Sequence, residues 1–308
     1  MYPMSSWESG DSAGSVSLTN LLDEPAYAPA GINPGKLEDL FYLVCRGGWP
    51  RCLALNDSEG KLEIAKDYFR QIYARDISSV DGVKRNPEIA RILLQSCARN
   101  AATLAKKSAI YADVKDTQRV TDVTLASYVT ALERLYVIQD IDAWTPRIRS
   151  KTAIRAAKKH IFTDPSIAAA ALGISPDYFN MDLDVFDHLF ENLVLRDLLA
   201  FAEAHNAHVM HYRDDTGLES DAVYQTEDGR YALIEIKTGA NAITSAEDNL
   251  LKFHNLIKQH NENIRMDTNH AGVIYREPNA LIIICANAPV AYTTSKGVHV
   301  IPYLCLKD

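Results

Sequence analysis

The stretch GLESDAVYQTEDGRYALIEIKTG, residues 217–239, decides the reading of this chain. It holds two apolar-rich runs of strand length joined by Asp228-Gly229, a dipeptide that favours the tight turn of a hairpin. Side chains two apart on a strand share a face, so Glu235 and Lys237 point one way while Ile234 and Ile236 point the other. Where Asp221 points depends on the loop. A three-residue loop, Glu227-Asp228-Gly229, with Gly229 in the left-handed conformation, sets Asp221 directly opposite Glu235. A two-residue Asp228-Gly229 loop pairs Ala222 with Glu235 instead and turns Asp221 to the other face, because a one-residue slip inverts every side chain.

With the longer loop, or a bulge that restores its parity, two carboxylates and one ammonium converge. Such a cluster suits a hard cation that takes oxygen ligands and keeps several waters, magnesium or its stand-in manganese. That is the outline of a metal-dependent nuclease site, with Asp221 and Glu235 as the metal ligands. The tripeptide Glu-Ile-Lys alone equally describes the solvated face of a half-buried strand. The flanking sequence has to carry the rest.

Upstream and downstream of the hairpin the periodicities are strong. A long amphipathic helix over about 183–205 presents Phe186, Leu189, Phe190, Leu193, Val194 and Leu198. Strands are expected near 208–212, 219–226 and 231–237, a helix over about 245–262, a strand at 280–286 and a final strand at 298–306. Helix, three strands, helix, strand, with acids on the second and third strands and a lysine two beyond the last acid, is the arrangement of PD-(D/E)XK nucleases. In such folds a Glu on the first helix often completes the site. Glu191, set within the apolar run LFENLVL, is the candidate.

The N-terminal half reads as helical. Residues 36–80 carry apolar positions at helical spacing around the break Gly47-Gly48-Trp49-Pro50 and form a helical subdomain. Asn86-Pro87 opens a helix over about 89–104, and a second helix over 121–135 leads into the strand-like Tyr136-Val137-Ile138. That is winged-helix order. The segment 146–160 then carries Arg147, Arg149, Lys151, Arg155, Lys158 and Lys159 without an acid. A wing that touches phosphates has this composition, and so does a solvated face. The expected architecture is α+β and multi-domain: a connector at 1–35, the helical subdomain at 36–80, a winged-helix domain at 81–165, and a restriction-endonuclease-like α/β domain at 166–308.

Composition bounds the functional classes. At 308 residues and 47% hydrophobic the chain can hold more than one core. Its net charge of -8 argues against coating nucleic acid through the overall field, so a DNA or RNA partner has to be met by a local patch. Five cysteines, scattered and odd in number, fit a reducing cytoplasm better than a disulfide framework. No apolar run reaches the roughly 18 to 20 residues that span a bilayer, so no membrane partner is expected.

Beyond the fold, the chain resembles the C-terminal two-thirds of bacterial and archaeal AAA-type ATPases that end in a domain of unknown function (DUF4143). The residues that carry the likeness are MSSWESGDSAGSVSL (4–18), RGGWP (46–50), RDI (75–77), RNPEIARILL (85–94), FTDPSIAAAALG (162–173), LFENLVLRDL (189–198) and the hairpin itself. The resemblance implies a nuclease-like C-terminal part, a winged-helix-like middle and an ATPase core as partner. This chain has no GxxxxGK[ST] phosphate-binding loop. Its nearest approach, Gly31-Ile32-Asn33-Pro34-Gly35-Lys36-Leu37, is one residue short between the glycines and ends on a leucine that binds no magnesium. No nucleotide site and no ATPase activity are expected.

His205, His208 and His211 are spaced by three but cross from helix to strand, where at most two can converge, so they are not expected to hold zinc. Two functions follow. One is a divalent-metal phosphodiesterase in which Lys237 orients water or stabilises the phosphorane charge. The other is a catalytically silent nuclease-fold module that binds DNA or protein.

Overall fold

A computed structural model describes residues 2–24, 26–146, 157–266 and 272–308. The chain divides into two compact units, Met1–Ser5 with Leu37–Ile141 and Ala157–Arg196, and Ser6–Lys36 with Asp142–Ala156 and Asp197–Asp308. In chain order the helices are α1 (Leu18–Asp23), α2 (Leu37–Arg46), α3 (Pro50–Leu53), α4 (Ser58–Gln71), α5 (Ile77–Ser79), α6 (Pro87–Arg99), α7 (Lys107–Lys115), α8 (Asp122–Arg134), α9 (Pro165–Leu172), α10 (Leu183–Ala204) and α11 (Ile243–Met266). The strands are β1 (Val16–Ser17), β2 (Gly31–Ile32), β3 (Ile138–Ile141), β4 (Lys159–Phe162), β5 (Ala207–Arg213), β6 (Glu219–Thr226), β7 (Tyr231–Lys237), β8 (Ala280–Cys285), β9 (Val290–Thr293), β10 (His299–Pro302) and β11 (Leu306–Lys307).

The first unit joins the helical subdomain and the following three helices in one core. Its centre is α9, whose alanine-rich sequence lets α2, α4 and α6 approach closely and whose Ile167, Ala168, Ala169 and Ala171 are buried. Asp164 caps α9 and accepts from the Ser166 N–H at 2.9 Å. The same carboxylate accepts from the Gly48 N–H at 2.8 Å and from the Arg196 guanidinium at 3.1 Å. Three segments distant in sequence, RGGWP, FTDPS and the middle of α10, thus meet on one buried acid. Gly48 is required there: a Cβ at that position would stand 2.1 Å from the Met4 carbonyl oxygen. Helices α6, α7 and α8 are followed by the antiparallel ribbon β3–β4, in which Ile138 faces Phe162 and Ile141 faces Lys159.

The second unit is built on a seven-stranded sheet of order β2-β9-β10-β8-β7-β6-β5. β5, β6 and β7 form an antiparallel meander, and β7, β8 and β10 run parallel. The parallel step from β7 to β8 needs a crossover, and α11 supplies it. The face under α11 is a continuous core of Val223, Tyr231, Leu233, Leu250, Phe253, Ile257, Leu281, Ile283 and Val300.

Two expectations are corrected. Of the stretch expected as a connector over 1–35, the part from Ser6 onward belongs to the second unit: β1 pairs in parallel with β11 and β2 pairs with β9, with Val16, Leu18, Leu21 and Leu22 buried. The final strand expected over 298–306 is broken into β10, a 3₁₀ turn at Tyr303–Cys305 and β11. Pro302 ends β10, since proline has no N–H to continue a ladder.

Candidate functional site

The hairpin has the three-residue loop. The Thr226 N–H donates to the Arg230 carbonyl at 2.9 Å, the Gly229 N–H donates to the Thr226 carbonyl at 2.9 Å, and Gly229 has φ +81°. The ladder then pairs Gln225 with Tyr231 and Ala222 with Ile234, and the same register sets Asp221 opposite Glu235. On the other edge of β6, Met210 pairs with Val223 but Tyr212 pairs with Ser220, so Asp221 and Ala222 together oppose the single residue His211. This is a β-bulge, a device that re-aims a side chain beside a site. On the β7 side, the Ser220 hydroxyl donates toward the Ile234 carbonyl at 3.1 Å and accepts from the Ile234 N–H at 3.3 Å.

The Asp221 carboxylate lies along β7. Its Oδ2 accepts from the Ile236 N–H at 2.8 Å and from the Lys237 ammonium at 3.1 Å. The same ammonium stands 2.7 Å from Glu235 Oε2. Glu235 shares the α11 face with Leu233 and is 2% exposed. Its other oxygen, Oε1, accepts from Asn249 Nδ2 at 2.6 Å, and Asn249 also donates to the Glu219 carbonyl at 2.8 Å. Asn249 lies on α11, so the crossover helix fixes the acidic end of β7.

The electrostatics follow from this placement. Burial first, and the neighbouring Asp221 charge second, push the Glu235 carboxyl up to about 7, against the pull of Lys237 and Asn249. Burial acts to lower the Lys237 ammonium, but Asp221 and Glu235 outweigh it and hold the pKa above the ordinary lysine value. Lys237 is therefore a donor at neutral pH and not a base.

Among the described residues, no group of three or more His, Cys, Asp or Glu side chains is placed to hold a metal ion. Asp221 and Glu235 are two carboxylate donors, which fits magnesium or manganese, ions that keep several waters and need only one or two protein carboxylates. Glu191 belongs to the first unit, where its Oε1 accepts from Lys159 at 2.5 Å. Lys159 is buried in β4 with that partner, while Lys158 is exposed. Arg147, Arg149, Lys151 and Arg155 lie outside the described residues. Of the three histidines, His211 is buried at the bulge, His208 is exposed, and His205 Nε2 lies 3.5 Å from an Asp308 oxygen.

Sequence reasoning missed Asn249 and Ser220. A lone asparagine on an amphipathic helix carries no signal of its own. Ser220 stands directly before the acid, and a serine next to a required change of strand parity is the clue that was present.

Comparison with known families agrees with the division into two units. Residues 37–178 match the family model of a domain of unknown function (DUF8612), and residues 186–306 match that of another (DUF4143). No curated protein and no solved structure matches the chain. No helix among the described residues is long and apolar enough to cross a membrane.

Proposed function

We propose that the second unit is a divalent-metal-dependent phosphodiesterase of the PD-(D/E)XK type, acting on DNA or RNA. The observation that carries this reading is the convergence of Asp221 and Glu235 on one ammonium at the end of β7, held there by a bulge and by Asn249. Structures that serve only stability rarely place two carboxylates side by side at half-buried positions, since like charges raise each other's pKa. The element order α10, β5, β6, β7, α11, β8 supports the same reading.

A magnesium or manganese ion bound to Asp221 and Glu235 supplies Lewis acidity for phosphodiester hydrolysis. The chain's own groups do the rest. Asn249 holds Glu235 Oε1 while Oε2 faces the Lys237 ammonium, and Glu235 would serve as a ligand in its ionised form. Lys237, kept as an ammonium, orients the attacking water or donates to the phosphoryl oxygen as negative charge builds on it. Water adds to phosphorus, the ester P–O bond breaks, and the proton leaves with the alcohol product.

In this reading α6–α8 and the ribbon β3–β4 form a winged-helix-like element. The basic run Arg147, Arg149, Lys151, Arg155 and Lys158 supplies the phosphate contacts in this reading. An AAA-type ATPase core or another protein is the expected partner, by resemblance; the chain itself carries no phosphate-binding loop, and no nucleotide hydrolysis is assigned to it. A second reading has its own observation: one ammonium already satisfies both acids, as in a structural ion cluster. The fold would then serve DNA or protein binding without cleavage.

The deciding experiment is cleavage of single- and double-stranded DNA and RNA with magnesium or manganese, comparing the parent with Asp221→Ala and Lys237→Ala. Metal-dependent cutting that is lost in both variants establishes the phosphodiesterase. No cutting under any condition leaves the binding module.

A further inference from the structure

The lysine is held where a cation is wanted. Its Nζ is 3.1 Å from Asp221 Oδ2 and 2.7 Å from Glu235 Oε2, on the two carboxylates that would hold the ion. The opposite oxygen of Glu235 is already taken by Asn249, and Asp221 Oδ2 is anchored by the Ile236 N–H. The acids are thus fixed by the sheet and by α11, with side chains 14% and 3% exposed, whereas the Lys237 side chain is 27% exposed on a four-carbon stem. Of the three groups, the ammonium is the one that can move.

A divalent ion cannot share those oxygens with the ammonium. Two cations a few ångströms apart in a half-buried site repel strongly. The ammonium has to leave, and once off its two carboxylates it needs another anion. A phosphodiester at the mouth of the site is that anion.

We propose that Lys237 is a gate: its ammonium holds the cation position between Asp221 and Glu235 until a nucleic-acid phosphate draws it away, so that divalent metal and phosphate backbone load together. The inference rests on the metal-dependent reading of the site and adds a rule for how the site is switched on. Because coupling between two ligands is reciprocal, nucleic acid strengthens metal binding by the same factor as metal strengthens nucleic-acid binding. A cell rich in magnesium would then leave the free protein unloaded.

The test is Mn²⁺ binding to the full chain, read from the electron paramagnetic resonance of the free ion. It compares the parent, Lys237→Met, Lys237→Gln and Asp221→Asn, each alone and with a short duplex DNA or a short single-stranded RNA. Both lysine variants are expected to bind Mn²⁺ about tenfold or more tightly than the parent without nucleic acid. DNA or RNA is expected to tighten Mn²⁺ binding to the parent by about fivefold or more, and to do so much less in the lysine variants. Asp221→Asn abolishes binding in every form and supplies the blank for ions held by the nucleic acid. Thermal melts show which variants are folded, and the glutamine, which still donates hydrogen bonds, stands in if the methionine is not. The gate is overturned if the folded lysine variants bind no tighter than the parent, or if neither nucleic acid changes the parent's affinity. Absence of Mn²⁺ binding in all forms overturns the gate and the metal site together. The predicted affinities without any strand cleavage would keep the gate and remove the phosphodiesterase.

Discussion

Asp164 and Glu235 are both buried carboxylates, 0% and 2% exposed, and they are held in opposite ways. Asp164 has one full counter-charge, Arg196, and its oxygens also accept from Gly48 and from both the N–H and the hydroxyl of Ser166. Every neighbour favours its charge. Glu235 shares a single ammonium with Asp221, a second acid, and its pKa is pushed up by burial and by that acid. The difference in how the two acids are held is what the proposed function turns on.

The largest expected effect would break the comparison on the structural side. Asp164→Ala removes the buried acceptor that three segments share, including one ion-pair partner of the buried Arg196 guanidinium. A loss of about 3–5 kcal/mol is expected in urea unfolding. A loss under about 1 kcal/mol would remove the distinction between the two acids.

Asp221→Ala tests the other side. Stability is expected to stay within about 1 kcal/mol of the parent, because the deletion relieves a like-charge contact as it loses an ion pair. Metal-dependent cleavage is expected to fall by about 10²-fold or more, some 2.7 kcal/mol of transition-state stabilisation. Unfolding and initial rates measured on one preparation separate the two.

The pH dependence sharpens the contrast further. A carboxyl whose folded pKa is raised contributes stability that is present in full below its unfolded value, 4.5, and is lost as pH rises to about 7. Urea midpoints from pH 4.5 to 7.5 should therefore show a decline in the parent that Glu235→Gln lacks, on the order of 2 kcal/mol. Cleavage should rise across the same window, since the metal needs the ionised acid. A parent and variant with parallel stability profiles would show Glu235 to be an ordinary acid.

The smallest effect concerns the turn that brings the acids together. Gly229→Ala imposes a Cβ on a left-handed residue and should cost about 1 kcal/mol, read as a shift in the thermal midpoint.

Much of the second unit was legible. The sequence left two loop lengths open, and only the three-residue loop or a bulge brought Asp221 to Glu235; the α11 crossover followed from helical periodicity. The contact of Asn249 with Glu235 was not legible, because it is made only when α11 lies back across the sheet. The Asp164–Arg196 pair was hidden for the same reason: two charges far apart in sequence, each beside apolar residues, do not announce that they meet. β1 and β2 are two residues each, too short to show alternation, and their Ser-, Gly- and Pro-rich surroundings read as a linker. The basic run was clear as composition, but composition does not separate a phosphate-binding wing from a solvated face.

The pairing of β1 with β11 sets a schedule for synthesis. A chain leaves the ribosome from its N-terminus, so Val16-Ser17 emerges long before its partner Leu306-Lys307, and Gly31-Ile32 before its partner in β9. Residues 37–141 and 157–196, which belong to the first unit, are translated in that interval. The opening segment meanwhile waits with Val16, Leu18, Leu21 and Leu22 uncovered, and that is the time when it is most open to aggregation or to capture by a chaperone. The two-stranded pairing of β1 with β11 therefore closes only after the strands of the sheet that carries the acids have been made.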